Sequence, residues 1–259
     1  MTEFLRSSLE LTVLLPGMLL ACLPVKGYLR MSPARLAAVT VPLILFLCCA
    51  GGAVSCLFHV EALWLLFPAA AVMGTFYVHM VRITRWKSVS IYLAICGSFS
   101  CMCSTAVAVN SLLNPGEPAL PLSLRSALFW FMICCLSVLA AWRPATRAAR
   151  RLLEEEAFAQ TWYVFWILPL LFIGLNLFIL PRTPDILEPE RLRQLYLLLS
   201  LAFLFLLLLF YALFYLMASS LNRNDRLRQE NQLLSMQQAR YDSLQAAIEQ
   251  TRQSRHDRR

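Results

Sequence analysis

The residues best equipped for chemistry close the chain, in the run Ser254-Arg255-His256-Asp257-Arg258-Arg259. An imidazole with an ordinary pKa of about 6.5 is largely neutral, and so nucleophilic, near physiological pH. A carboxylate beside it, here Asp257, can orient the ring and accept its other proton while a phosphoryl group is transferred. The flanking Arg255 and Arg258 can attract nucleotide phosphates. The competing reading of the same residues is a basic, solvated tail that contains one histidine.

Whatever His256 does, residues 220–259 must position it. From 220 onward the composition turns to Gln, Arg, Asn, Leu and Glu without Pro or Gly, which predicts a long helix. Leu227, Leu234, Tyr241 and Ile248 recur every seven residues, the outline of a parallel coiled-coil seam. The alternate core positions are Asn224, Asn231, Gln238 and Gln245, which weakens such a seam but favours a defined two-stranded register. A two-chain stalk is therefore expected over a single helix lying on a membrane surface. Ile248 and His256 are eight residues apart, so they differ by about 80° around the helix, and the imidazole falls at the flank of the seam.

The rest of the chain is apolar. Of 259 residues 59% are hydrophobic and 15% charged, and the mean hydropathy is +0.62, which excludes an ordinary water-soluble domain. The segments 36–58, 62–81, 88–110, 126–142, 162–180 and 195–219 hold no Asp, Glu, Lys or Arg. Each approximates the ~20 residues needed to cross a hydrocarbon layer of ~30 Å as helix. A seventh segment, about 9–25, carries Glu10, Pro16 and Pro24 and could be a span, an interfacial helix or a signal sequence; it is read here as a span. The expected fold is all-α: a polytopic membrane helix bundle of about seven spans over 1–219, followed by a cytoplasmic, coiled-coil-like helical stalk over 220–259.

Lys and Arg are asymmetric between alternate loops, and basic short loops stay cytoplasmic. Segments 26–35, 82–87, 143–151 and the tail after 219 hold 18 of the 23 basic residues. Only Arg6, Arg125, Arg182, Arg191 and Arg193 fall in the other set. The expectation is a multi-pass protein of the cell membrane with its N-terminus outside and its C-terminus in the cytoplasm. That orientation puts Cys22 at the inner face, although Leu19-Leu20-Ala21-Cys22 resembles the box at which lipoprotein signals are cut and lipidated. The formal net charge of +8 then reads as topology and attraction to anionic lipid, with no nucleic-acid surface.

The loops leave no room for an external folded domain: 58–61 is short, Asn114 to Pro118 is a turn, and Pro181 to Pro189 is acidic and Pro-rich. Arg150 and Arg151 are spaced i,i+4 from Glu154 and Glu155, as along a short solvated helix leading into the span at 162. Polar residues within the spans are few: His79 is expected at the headgroup level beside Arg82, and Asn176 is expected to bond one helix to another. All nine cysteines lie in apolar runs and read as packing residues rather than as metal ligands or a disulfide framework. A transporter would be expected to show broken spans, mid-membrane charges or an internal repeat, and the sequence displays none of these.

Tyr241-x-x-Leu244-x-x-x-Ile248-Glu249, with His256-Asp257 seven residues beyond Glu249, resembles the H box of sensor histidine kinases of the GHKL type. Peptide-pheromone receptor kinases of Gram-positive bacteria are similar in having six or seven spans, almost no external domain and an Arg-His-Asp box. The resemblance implies His256 as phosphoacceptor, Asp257 as base, a homodimer, a peptide ligand and a response-regulator partner. ATP and Mg²⁺ would be expected only with a kinase domain, whose second dimerisation helix, Mg²⁺ site and glycine-rich ATP lid are not in these 259 residues. The chain is thus expected to be a sensor half that does not bind ATP by itself.

Overall fold

The structure is a computed structural model that describes residues 2–114, 122–146, 162–181 and 189–256. Among them the regular elements are helical: α1 (Thr2–Leu11), α2 (Leu14–Cys22), α3 (Pro33–Phe58), α4 (Ala62–Met80), α5 (Arg85–Leu113), α6 (Leu124–Pro144), α7 (Trp162–Phe165), α8 (Ile167–Ile179) and α9 (Glu190–His256). The chain divides into two compact units, Met1–Ala212 and Leu213–Arg259.

Among the described residues six helical segments are long and apolar enough to cross a membrane: Glu3–Cys22, Pro33–Phe58, Ala62–Met80, Arg85–Leu113, Leu124–Pro144 and Glu190–Met217. Their surface has the character a bilayer requires. Phe46, Leu57, Phe178, Leu198 and Phe205 are each more than two-thirds exposed, a belt that would drive aggregation in water. A multi-pass membrane protein accounts for that belt.

Two expected spans take a different form. The first begins at Glu3 rather than near residue 9, and it packs inside the first unit, with Leu11, Val13, Met18 and Ala21 buried. The segment expected as one span over 162–180 is broken at Trp166 into α7 and α8. Pro169, which has no N–H to donate back to Phe165, falls in the first turn of α8, where that loss costs least; Trp166 keeps a near-helical φ −70°, ψ −21°, and Pro42 and Pro68 lie inside the unbroken α3 and α4. The 13 residues of α8 rise only about 20 Å, short of a hydrocarbon layer.

Local signals set the other ends. Ser32 caps α3 by accepting from the Arg35 N–H at 3.5 Å, with Pro33 at the first helical position. His59, at φ 52°, closes the same helix in the left-handed conformation common after a helix C-terminus. Ser123 caps α6 by accepting from the Ser126 N–H at 3.3 Å.

α5 is the central helix. Of its most apolar window 61% is buried, against 17% for α4 and 11% for the apolar part of α9. Phe99, Met102, Cys103, Ala106 and Val107 on α5 form the main core with Trp130, Cys134 and Val138 of α6 and Tyr196 of α9. On another face Cys101 meets Phe172 of α8 and Leu207 of α9.

Hydrogen bonds gather the loops of the first unit at two ends. At one end an antiparallel bridge joins Leu29 to Val81, and Ser90 donates to the Trp162 carbonyl at 3.2 Å. At the other, Ser55 donates to the Val60 carbonyl at 2.8 Å, Asn110 accepts from Ser123 at 3.2 Å, and Arg193 donates to the Ser111 carbonyl at 3.4 Å. The first end carries Arg30, Arg82, Arg85 and Lys87, and the second carries both signs, with Glu61, Glu190, Arg125, Arg191 and Arg193.

Glycine sets how closely α8 approaches α5. A Cβ added at Gly97 would lie 3.3 Å from the Pro169 backbone, whereas one added at Gly174 would meet nothing within 4 Å. Gly97→Leu is expected to cost about 1–3 kcal/mol by overpacking, and Gly174→Leu less than about 0.5 kcal/mol. Both replacements gain the same helix propensity, so the difference between their thermal unfolding midpoints in detergent reads the packing alone.

Candidate functional site

His256 is the last residue of α9; its side chain, and Asp257 entirely, lie outside the described residues, as do Arg147 to Glu156 and the Pro115 to Pro118 turn. In the second unit Leu227, Leu234 and Tyr241 are all exposed, so the heptad positions have no partner within that unit among the described residues. The residues singled out for phosphoryl transfer are therefore placed along the chain without a side-chain geometry.

The first unit contains a cavity of about 880 Å³, near the upper end of the ~300–1,000 Å³ range of small-molecule sites. α5 floors it with Val89, Tyr92, Leu93, Cys96 and Phe99; α4 lines one wall with Phe67, Ala71, Thr75 and Val78; α8 lines the other with Leu170, Ile173 and Leu177. Each set recurs at three- and four-residue spacing, so each is a single helical face turned toward the same space. The groove exists because α4 and α8 both pack on α5 and leave room between them. Phe67, Ala71, Thr75 and His79 are exposed along the α4 wall.

The walls are fastened by side chains the sequence marks weakly. Tyr92 of α5 donates its hydroxyl to the Ala70 carbonyl of α4 at 2.8 Å and stacks on Tyr77 at 5.8 Å between ring centroids. Gly74 permits this, since a Cβ there would come within 2.8 Å of the Tyr92 ring. Opposite, Asn176 of α8 accepts from Ser104 of α5 at 2.6 Å, and its amide donates to the Phe172 carbonyl at 2.8 Å and to Cys101 Sγ at 3.2 Å. Asn176 thus makes the interhelical bond expected of it.

The ends of the groove differ in charge. Arg30, His79 and Arg85 line one end, and among the described residues no acidic side chain lines any part of it. His79 lies at that basic end on the last turn of α4, one turn from Arg82. Arg30 is held there by its backbone, which donates to the Met80 carbonyl at 3.0 Å and leaves the guanidinium clear of that bond. Sequence reading took Arg30 and Arg85 only as markers of sidedness; their convergence depends on the Leu29–Val81 bridge, which no local pattern announces.

A second feature escaped the sequence. Glu10 is 3% exposed inside the first unit, with its carboxylate 4.0 Å from Arg6 Nε. An ionisable pair at such a depth is a functional candidate by default. All nine cysteines are free thiols, and among the described residues no group of three or more His, Cys, Asp or Glu could hold a metal ion.

No family model, curated protein or solved structure matches this chain. The groove and its fastenings therefore stand on their own geometry. If Asn176 holds α8 to α5, Asn176→Leu should lower stability by about 1 kcal/mol, the scale of polar contacts between membrane helices. Thermal unfolding in detergent measures this, and Asn176→Gln, which keeps the amide, is expected to recover part of the loss.

Proposed function

We propose that the chain is the membrane sensor portion of a two-component histidine kinase, in which an external or membrane signal controls phosphorylation of a cytoplasmic histidine. The observation that carries this reading is that one helix, Glu190–His256, contains the last apolar segment long enough to cross a membrane and ends on the histidine of the His256-Asp257 pair. A change in how the bundle packs then has a covalent route to the phosphoacceptor.

In this mechanism His256 is the nucleophile toward the γ-phosphate of ATP, Asp257 holds the imidazole and takes its proton, and Arg255 and Arg258 attract the phosphates. ATP and Mg²⁺ belong to a catalytic domain of GHKL type. The exposed Leu227, Leu234 and Tyr241 are the seam of a homodimer, which brings two histidine-bearing helices together. The basic end of the bundle faces the cytoplasm. The signal is a small peptide or a membrane component, because the spans and short loops are the available receptor, and a response regulator receives the phosphoryl group.

A transport function is the second reading, and two observations favour it: the interruption at Trp166 and the buried Glu10 beside a half-buried Arg6 are the kind of features transporters build on. An in-frame ATP-binding domain in the DNA following codon 259 decides for the sensor reading.

With a GHKL-type catalytic domain joined in frame, His256→Gln should abolish incorporation of labelled phosphate while leaving membrane insertion and dimer formation unchanged. Asp257→Asn should slow it by about 10²-fold if the carboxylate is the base. Phosphorylation that survives the loss of His256 would end the assignment.

A further inference from the structure

The groove in the first unit combines features that together specify a ligand chemistry. Most of its interior polar groups are already spent: Tyr92 is bonded to Ala70, and Ser104 and Asn176 to each other, while the buried Trp130 Nε1 has no hydrogen-bond partner among the described residues. The rest of the walls is largely alkyl and aromatic surface from Phe67, Ala71, Leu93, Leu170 and Ile173. A polar peptide backbone placed there would lose its hydration and gain few partners, whereas an acyl chain loses nothing.

The basic end supplies the complementary half. Arg30, His79 and Arg85 converge at one mouth with no carboxylate among the lining residues, and among the described residues neither Arg30 nor Arg85 has a side-chain hydrogen bond or ion pair. Guanidinium groups present a planar fork of donors that matches phosphate oxygens. From Arg85 to Phe99 the floor of the groove runs for fourteen residues of α5, about 21 Å of rise. One leaflet of a ~30 Å hydrocarbon layer is about 15 Å deep, so a chain whose headgroup sits at the arginines has its full length accommodated. Because the α4 stripe from Phe67 to His79 is exposed, such a chain enters sideways, without its head crossing the apolar interior.

We propose that the groove floored by α5 is a binding site for an anionic phospholipid of the leaflet at the basic end, with its phosphate on Arg30 and Arg85 and an acyl chain between α4 and α8. The two ends of the ligand are recognised by different physics: charge selects the headgroup, and the volume between two helices that both lean on α5 selects a chain. The site does not rest on the histidine-kinase reading, and its test reads bound lipid rather than phosphorylation.

The experiment uses the full chain, delipidated in detergent and incubated with mixed micelles of phosphatidylglycerol and phosphatidylcholine carrying identical chains. Lipid retained after repurification is counted by native mass spectrometry. About one phosphatidylglycerol per chain should be kept, at least tenfold in preference to phosphatidylcholine. The doubly substituted R30A/R85A protein should lose that preference, and R30K/R85K should keep part of it; the bridge at Leu29 and Val81 is backbone, so the fold survives these changes. Ala71→Trp, which fills the groove without touching the charges, should reduce retention of both lipids. Equal retention of the two lipids, an unchanged preference in R30A/R85A, or retention unaffected by Ala71→Trp would each overturn the site. Displacement of phosphatidylglycerol by equimolar oleate or lysophosphatidylglycerol would overturn a two-chain phospholipid as occupant in favour of a single-chain amphiphile.

Discussion

An apolar solvent gives helices no reason to associate through their greasy surfaces, because lipid tails are as apolar as leucine. What holds this bundle is therefore close packing at small residues and a few polar bonds that have no water to compete with them. Both gather at two places: the contact of α1 with α3, where Gly51 and Gly52 face Leu11, Ser8 and Phe4 and Ser7 shares a hydrogen bond with Ser55 at 2.9 Å, and the faces of α5. Gly97 lets the backbone of Pro169 approach, Phe99 packs over Gly17, and Tyr92 reaches across to the Ala70 carbonyl over Gly74. Ser104, Asn176 and Cys101 form one short chain of polar contacts within the apolar interior. At the end of α5, Asn110 accepts from Asn114, Ser123 and Ser126, which ties the start of α6 to it.

The same arrangement accounts for the groove. α4 and α8 both pack on α5, α4 packs on α1 and α3 as well, and the α5 face between α4 and α8 is left to floor the groove. The break at Trp166 contributes, since α8 is too short to fill the whole depth alongside α4. Arginines at one mouth follow from the requirement that basic loops remain on one side. Under the proposed topology and lipid site, one pair of arginines would serve both sidedness and the recognition of anionic headgroups.

Five of the long apolar segments, from Pro33–Phe58 to Leu124–Pro144 and Glu190–Met217, and the polar helix after residue 220 were legible because span length and composition are local quantities, and Ser32-Pro33 marks the start of α3 by capping chemistry alone. The break within 162–180 was not, because Pro169 lies inside a uniformly apolar run in which hydropathy carries no boundary. The burial of Glu10 was hidden for a related reason: a charged residue three turns from the N-terminus reads as the edge of a span until neighbouring helices close over it. The groove needed three faces on α4, α5 and α8, separated by up to 117 positions from Leu63 to Leu180, to be brought together. No periodicity within one helix shows which space its apolar stripe lines. The His256-Asp257 box was read from its spacing and from its place beyond a polar helix that continues the last apolar segment, both of which are local to the chain.

Sidedness is the claim on which both the signalling reading and the leaflet of the lipid depend. It is tested most directly by placing single cysteines at Val60 and Ile83, at opposite ends of the first unit, in a chain whose nine native cysteines have been replaced. A membrane-impermeant maleimide is then applied to intact and to opened cells. The account predicts that Val60→Cys is labelled in intact cells and that Ile83→Cys is labelled only after the cells are opened. Labelling of Ile83→Cys in intact cells, with Val60→Cys protected, would contradict it.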